Sequence, residues 1–157
     1  VSQQVSVAAA NAIWKRLVKA NLNGPRKIMK ASDNELRAVG MSRQKVRYAR
    51  ALAEARINFK SLRSLSTTEV VNRLTQVSGI GIWTAEIYTM FSLGRADVFA
   101  AGDLALQESG RLLFGLKERP TEKEIRQMAE SWSPWRAVAA RLLWAYYAHA
   151  KNREGVG

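Results

Sequence analysis

Apolar residues recur at helical spacing along most of the chain. Within residues 3–22 they fall at the positions expected for one face of a helix: Val5, Ala8, Ala9, Ile13, Leu17 and Val18. No alternation of Val, Ile and Thr of the strand type persists. The connections between the helical segments are short, which is typical of an all-α domain. We therefore predict an all-α fold.

Start and stop signals divide this pattern into separate helices. Gly24-Pro25 ends the first segment, and two capping boxes, Ser32–Glu35 and Thr121–Glu124, predict helix starts. Pro134 is placed in the first turn of the last helix, where proline is tolerated. The other predicted helices cover residues 42–57, 67–76, 82–93 and 103–114, and the last one runs to about residue 150.

The composition excludes several kinds of site. The 157 residues suggest one domain or one compact pair of lobes. Cysteine is absent, which excludes disulfides, thiolate zinc sites, iron–sulfur clusters held by cysteine and a cysteine nucleophile. The single histidine, His149, leaves little for a catalytic triad or a multi-histidine metal site. No apolar run approaches the roughly 18 residues of a membrane span, so we expect a soluble protein from a reducing compartment.

The positive charge is unevenly distributed. The formal net charge is +12; residues 1–60 hold 13 basic and 3 acidic side chains, whereas residues 61–157 hold 12 and 10. A basic surface attracts a polyanion because each neutralised phosphate releases condensed counterions. The alternatives are simple solubility and, less well supported because the charge spans several segments, an anionic membrane surface. The densest basic cluster follows Ser42: Arg43, Lys45, Arg47 and Arg50.

A glycine turn lies between two of the predicted helices. Gly79-Ile-Gly81 joins helix 67–76 to helix 82–93, which is a helix-hairpin-helix pattern. Glycines permit the tight turn, and the free amides at the start of the second helix can bind a phosphate oxygen. Such a contact positions a strand without reading its bases. The alternative is a plain turn between helices with glycine as the helix cap.

Two longer stretches carry a resemblance to a known family. They are Val77-Ser-Gly-Ile-Gly-Ile-Trp-Thr-Ala-Glu86 and Arg95-Ala-Asp-Val-Phe-Ala-Ala-Gly-Asp-Leu-Ala-Leu-Gln107. Both resemble the helix-hairpin-helix (HhH-GPD) superfamily of DNA glycosylases, in particular its bacterial 3-methyladenine DNA glycosylase II branch; residues 2–6 and 132–144 agree less specifically. The resemblance covers nearly the whole chain. It implies one two-lobed helical domain over residues 1–157, with a hairpin at 67–93, a catalytic segment at 95–107, and the family's N-terminal helices lacking.

The resemblance also implies a role for individual residues. Asp103 matches the catalytic aspartate, and Gln4 matches the side chain that fills the gap left by a flipped nucleotide. Trp83 occupies the position where bifunctional members carry a Schiff-base lysine, which implies a monofunctional enzyme without lyase activity. The implied substrate-binding residues are Trp83, Trp144 and Ile87. The implied DNA-binding residues, besides Gln4, are Gly79, Gly81, Thr84, Arg43 and Lys45.

The resemblance implies no organic cofactor and one structural ion. The backbone carbonyls of Thr75, Val77 and Ile80 match positions that hold Na⁺ or K⁺ in relatives. The expected partner is double-stranded DNA with damaged bases, bound by a monomer in the bacterial cytoplasm at the nucleoid. Two positions depart from the family pattern: Ser78 replaces a common hairpin proline, and Ala100 replaces a proline whose fixed φ would stiffen the loop before Asp103.

The implied reaction makes chemical sense of these residue types. A stacked base must be flipped out before its glycosidic bond can be reached. Alkylation gives the base a positive charge, which favours stacking on tryptophan and weakens the bond. The sugar becomes cationic as the bond breaks, and a carboxylate such as Asp103 stabilises that charge or orients water. Asp103 is also a favoured helix N-cap, and both roles can hold.

Several neighbouring residues are assigned structural roles instead. Asp97 is expected to be a structural cap or to fix a loop, and Trp14, Trp132 and Trp135 are expected to pack in the core or between the lobes. Two other functions stay open: a glycosylase of the same fold for uracil or hypoxanthine, and a non-catalytic helix-hairpin-helix module that only binds DNA. For Arg43 and Lys45 the alternative to phosphate contact is a solvated basic face.

Overall fold

The computed structural model describes residues 7–153, and the fold within this range is all-α, as predicted. No strand is present in this part of the chain, and no helix in it is long and apolar enough to cross a membrane. Its α-helices are α1 (Val7–Lys19), α2 (Pro25–Lys30), α3 (Asp33–Ala38), α4 (Arg43–Glu54), α5 (Thr67–Thr75), α6 (Ile82–Phe91), α7 (Leu104–Leu113), α8 (Glu122–Met128) and α9 (Arg136–Arg153). Short 3₁₀ helices cover Ser61–Ser64 and Ala129–Trp132.

The helix starts agree closely with their sequence signals. Ser32 and Thr121 each accept a hydrogen bond from the third residue of the helix, and Glu35 and Glu124 bond back to the cap, so both predicted capping boxes are confirmed. The helix ends agree less well: α4 ends at Glu54 rather than near 57, and Arg56 follows with φ of 45°. Residue 56 has thus left the helical conformation.

Pro134 does not belong to the first turn of the last helix, so that prediction is wrong. The helix begins two residues later, at Arg136, after a cis Ser133–Pro134 bond. The amides of Val138 and Ala139 bond to the carbonyl of Trp135, which marks the true start. Pro134 therefore belongs to the connection between the 3₁₀ helix, which ends at Trp132, and α9.

The chain divides into two compact units, which agrees with the expected two lobes. The first unit comprises Val1–Lys60 and Gln76–Gly79. Within its described residues, α1, α3 and α4 bury a core that contains Ile13, Leu17, Leu36, Val39 and Val46. Arg50 fastens this unit by donating to the carbonyls of Ile28 (3.0 Å) and Ala31 (2.7 Å) and to Asp33 (2.6 Å).

The second unit comprises Ser61–Thr75 and Ile80–Gly157. Its core contains Met90, Phe99, Ala100, Ala101, Leu106, Ile125, Ala129, Ala137, Ala140 and Leu143. Helices α7 and α9 pack together, and Ser109 of α7 donates to the Leu143 carbonyl at 2.8 Å. Because Ala100, Ala101 and Leu106 belong to this core, it anchors the loop at 100–103 and the first turn of α7.

The expectation of three core tryptophans is only partly correct. Trp132 packs against the second core and contacts Phe99 and Phe114, as expected. Trp14 and Trp135 are 51% and 62% exposed, so their assignment to the core is wrong. Apolar character alone does not decide burial, because a folded surface always retains much apolar area.

Candidate active site and nucleic-acid interface

Asp103 is the N-cap of α7. Its Oδ1 accepts hydrogen bonds from the backbone amides of Ala105 (3.0 Å) and Leu106 (3.1 Å), and its φ and ψ are extended. These bonds satisfy amides that have no partner inside the helix. The capping role considered for this residue is therefore present, and it fixes the carboxylate at the start of the helix.

Two tryptophans donate to the same carboxylate. Trp83 Nε1 lies 3.0 Å from Asp103 Oδ2, and Trp144 Nε1 lies 3.1 Å from Oδ1. The two indoles come from α6 and α9, so three helices converge on one side chain. Each of its four donors is a neutral N–H group. The carboxylate is thus held in place by N–H dipoles and not by a cationic side chain.

The surroundings of this carboxylate are aromatic and open to solvent. Trp83 and the neighbouring Leu104 are exposed, and Phe91, also exposed, stacks on Trp144 with ring centroids 5.8 Å apart. Arg141 lies over the Phe91 ring, with its Cζ 5.0 Å from the ring centroid. An exposed, π-rich surface beside a fixed anion suits a flat, electron-poor ring.

Phe91 and Arg141 were missed by the sequence reading, although a signal existed. Trp83, Ile87 and Phe91 are spaced by four residues and so lie along one face of α6. Arg141 precedes Trp144 by one turn of α9. Two turns on from Trp83 lead to Phe91, and one turn back from Trp144 leads to Arg141.

Ile87 lies near these residues but is mainly a packing residue. It is half-buried and packs against the second core together with Trp144. Its expected contact with a substrate stays a prediction.

The loop before Asp103 is tied down without the usual proline. Ala100 and Ala101 are fully buried, and the buried Gln107 donates its Nε2 to the Ala101 carbonyl at 2.9 Å. The amide of Asp103 donates to the Ala100 carbonyl at 2.9 Å. Burial and these two bonds restrain the loop in the place of a fixed φ.

Asp97 has the structural role expected of it. Its carboxylate forms a two-pronged ion pair with Arg136, at 2.6 Å and 2.8 Å, and accepts a further bond from Ser133 at 3.0 Å. Hydrogen bonding to Arg136 lowers the pKa of Asp97 below its usual 3.8. The pair joins the segment that precedes the 100–103 loop to the first residue of α9.

The two glycines of the hairpin turn are needed for different reasons. Gly79 has φ of 91°, and a Cβ atom there would lie 2.3 Å from the ring of Tyr48 in the same unit. Gly81 caps α6 with extended backbone and is exposed, and a Cβ there would meet nothing within 4 Å. Position 79 thus requires glycine for the fold, whereas position 81 leaves the helix start open to a ligand.

The other residues predicted to bind DNA differ in how exposed they are. Arg43 is exposed on the first turn of α4, while Lys45 and Thr84 are half-buried on the first turns of α4 and α6. Gln4 lies outside the described residues.

Other basic residues serve the fold. Arg50 does so as described above, Arg16 donates to the Val39 carbonyl (2.8 Å), and Arg95 donates to Thr67 (3.0 Å) and to the Leu65 carbonyl. Because Arg50 is engaged by the fold, fewer basic side chains after Ser42 are available to a ligand than the sequence suggests.

The predicted cation site stays a prediction. Thr75 turns its hydroxyl back onto its own helix, where it donates to the carbonyls of Val71 and Asn72. The Thr75 carbonyl lies at the end of α5. That the carbonyls of Thr75, Val77 and Ile80 bind a cation stays a prediction from the resemblance. Among the residues that the structure describes, no cluster of His, Cys, Asp and Glu suits a metal ion.

An apolar cleft of about 270 Å³ lies elsewhere in the second unit. Leu113, Phe114, Trp132, Leu142 and Tyr146 contribute to its walls, and Asp103 does not. It is a separate feature from the carboxylate site.

Comparison with known proteins places this geometry in a family. DNA-3-methyladenine glycosylase 1 of Schizosaccharomyces pombe is 37% identical over 152 residues, covering 91% of this chain and 67% of that protein. The crystal structure of a DNA-3-methyladenine glycosidase from Bacillus halodurans superposes with a TM-score of 0.81 at 38% identity, over 93% of this chain and 70% of that one. A 3-methyladenine DNA glycosylase of S. pombe in complex with abasic DNA gives a TM-score of 0.80 at 36% identity, over 91% and 74%.

The chain thus spans about two thirds to three quarters of the length of these relatives. The sequence profile of one superfamily matches residues 1–134, which include the hairpin turn and Asp103. The chain belongs to the HhH-GPD superfamily of base excision DNA repair proteins.

Proposed function

We propose that this protein is a monofunctional DNA glycosylase that hydrolyses the N-glycosidic bond of alkylated bases, such as 3-methyladenine and 7-methylguanine, in double-stranded DNA. The observation that carries the proposal is the Asp103 carboxylate, held by two indole N–H groups beside exposed aromatic rings. The names of its relatives agree with this substrate class.

The fixed anion of Asp103 accounts for the chemical step. The flipped nucleotide places its sugar beside the carboxylate, and the sugar gains positive charge as the bond to the base breaks. At about 4 Å and an effective dielectric near 20, the attraction is about 4 kcal/mol, or close to a thousandfold in rate. Because the four donors already fix Asp103, little reorganisation accompanies the step.

The aromatic surface accounts for the choice of alkylated bases. A base methylated at N3 or N7 carries a positive charge, which the π faces of Trp83, Trp144 and Phe91 attract by about 2 kcal/mol when water is excluded. Arg141 lies over Phe91 and already occupies one face of that ring, so Trp83 and Trp144 supply most of this attraction. A neutral lesion gains less from the same surface.

A glycosylase of this kind leaves an abasic site with both strands intact. Strand cleavage by a lyase needs an amine that attacks the sugar to form a Schiff base. Tryptophan stands at position 83, where the bifunctional relatives carry that lysine, and its N–H is engaged by Asp103. We therefore expect hydrolysis alone, with water as the nucleophile and the neutral base as the leaving group.

The deciding experiment uses a panel of duplexes, each with one modified base. We expect release of free 3-methyladenine and 7-methylguanine, and strand breaks only after treatment with heat and alkali. Release of uracil or hypoxanthine with no methylated base would point to the other glycosylase class. Binding with no base released from any duplex would contradict a catalytic role, and breaks without alkali would contradict the monofunctional mechanism.

The hairpin glycines give a test of the DNA interface. Gly81→Ala adds a methyl group at an open position and should weaken DNA binding while the Tm changes little. Gly79→Ala is the matched control: strain and overlap with Tyr48 should destabilise the fold by about 1–3 kcal/mol. DNA affinity unchanged in Gly81→Ala would contradict the phosphate contact.

A further inference from the structure

Glu86 is a buried carboxylate behind the site, and the mechanism above does not use it. It lies on α6, one turn after Trp83, and is only 6% exposed. Its Oε1 accepts from Arg126 Nη1 at 2.7 Å, whereas Oε2 is buried with no partner among the described residues. Burial raises the pKa of Glu86, and the hydrogen bond from Arg126 opposes that rise.

Arg126 extends this contact to the loop that carries Asp103. Its Nη2 donates to Glu122 Oε1 at 2.9 Å, and Glu122 is the first residue of α8. A Cβ atom built on Gly102 would lie 3.5 Å from Glu122 Oε2 and 3.6 Å from the Cβ of Trp83. Gly102 directly precedes Asp103, so the backbone there is enclosed between Glu122 and Trp83.

Stability alone gives a poor reason for this arrangement. A buried carboxylate such as Glu86 is costly to desolvate, and its partner Arg126 is 41% exposed, so the solvent weakens the attraction that would offset this cost. The oxygen of Glu86 that lacks a partner adds to the cost. What the charged form does supply is a directional link between α6 and α8, the two elements on either side of the Gly102–Asp103 backbone.

We propose that Glu86 is a positioning residue, which acts through Arg126 and Glu122 to align the Trp83 indole with the Asp103 carboxylate. The proposal concerns the same site as the glycosylase function and rests on that function for its effect on rate. Glu86 itself contacts no reacting atom. Its role is to keep the Trp83 N–H on α6 within hydrogen-bond distance of the Asp103 carboxylate at the start of α7.

The first test compares Glu86→Gln with the matched control Glu108→Gln. Both changes remove one carboxylate of an ion pair in the same unit, and Glu108 pairs with Arg111 on α7 at 2.7 Å. We expect single-turnover base release from methylated duplex to slow about 10- to 100-fold in Glu86→Gln, with DNA affinity and Tm retained. Glu108→Gln should keep the original rate. Equal rates in the two variants would overturn the proposal.

The second test does not depend on activity. The Trp83 indole N–H signal in a ¹H–¹⁵N spectrum, assigned with Trp83→Phe, reports directly on its bond to Asp103. We expect it to shift in Glu86→Gln and in Arg126→Lys, which keeps the charge but lacks the rigid planar fork of the guanidinium, and to stay in place in Glu108→Gln. An unmoved signal in both variants would refute the alignment role.

The two readouts separate the possible failures. If the wild-type protein released no base, the glycosylase function would fail, while the indole signal would still decide whether Glu86 aligns Trp83. If Glu86→Gln failed to fold, Arg126→Lys would decide by the same signal. A Tm loss in Glu86→Gln large enough to explain its slower rate, with the indole signal unmoved, would reduce Glu86 to a folding role.

Discussion

Asp97 and Asp103 lie six residues apart on one connection, yet they are held in opposite ways. Asp97 meets the guanidinium of Arg136, so its charge is neutralised by a cation. Within residues 7–153, Asp103 accepts hydrogen bonds from indole and backbone N–H groups and forms no ion pair, so its orientation is fixed by dipoles and no cation offsets its charge. An anion that is already paired has little attraction to offer a developing cation. The kind of partner therefore separates a structural carboxylate from one suited to catalysis.

The strongest way to break this comparison is to neutralise each carboxylate in turn. Asp103→Asn keeps a good N-cap but removes the charge, so we expect base release to fall about a thousandfold with little loss of DNA affinity. Asp97→Asn should keep the rate within about tenfold. Single-turnover rates on one methylated duplex measure both. Equal losses would mean that partner type does not distinguish the two residues.

A smaller change tests whether neutral donors are enough to hold Asp103. Trp144→Phe removes the N–H that lies 3.1 Å from Oδ1 and preserves an aromatic ring for the stack with Phe91. Losing one bond to a charged group should slow base release about tenfold.

The same assay with Trp135→Phe is the control, because Trp135 is 62% exposed and makes no side-chain contact with Asp103. If the Trp144 variant retained the full rate, the indole bond would have no part in aligning the carboxylate.

The smallest effect concerns the stability that Asp97 provides. Its pKa is lowered in the fold by Arg136, so the folded state binds the proton less readily than the unfolded chain. The stabilisation is full above pH 3.8 and is lost as the pH falls through the lowered value. Asp97→Asn should lower the Tm by about 3 °C at neutral pH.

Thermal unfolding of both proteins over a range of pH measures this difference, which should shrink below pH 3.8. A difference that grew on acidification would mean that the ion pair is not its source.

The sequence predicted local features well because they depend on near neighbours. The capping boxes at Ser32 and Thr121, and Asp103 as a cap, each involve residues within one helical turn. The site residues came from the resemblance; the structure brings Asp103, Trp83 and Trp144 together, and their catalytic and binding roles stay predictions.

Contacts between residues that lie far apart in the sequence could not be predicted. Tyr48 beneath Gly79 and Arg126 against Glu86 join positions 31 and 40 residues apart, and nothing in the local pattern specifies them. Glu86 carries the clearest lesson: a glutamate is rarely buried unless it is paired, and its partner Arg126 lies 40 residues further along the chain. The exposure of Trp14 has the same origin, since neighbouring elements and not hydropathy decide what is covered.

Helix α9 reaches both ends of the segment between the two carboxylates, with Arg136 on Asp97 and Trp144 on Asp103. The superfamily match ends at residue 134, just before this helix begins. A chain cut there would keep every residue of the recognisable signature and still lose the fastening at each end. The contacts that hold Asp97 and Asp103 thus extend beyond the part of the chain by which its family is identified.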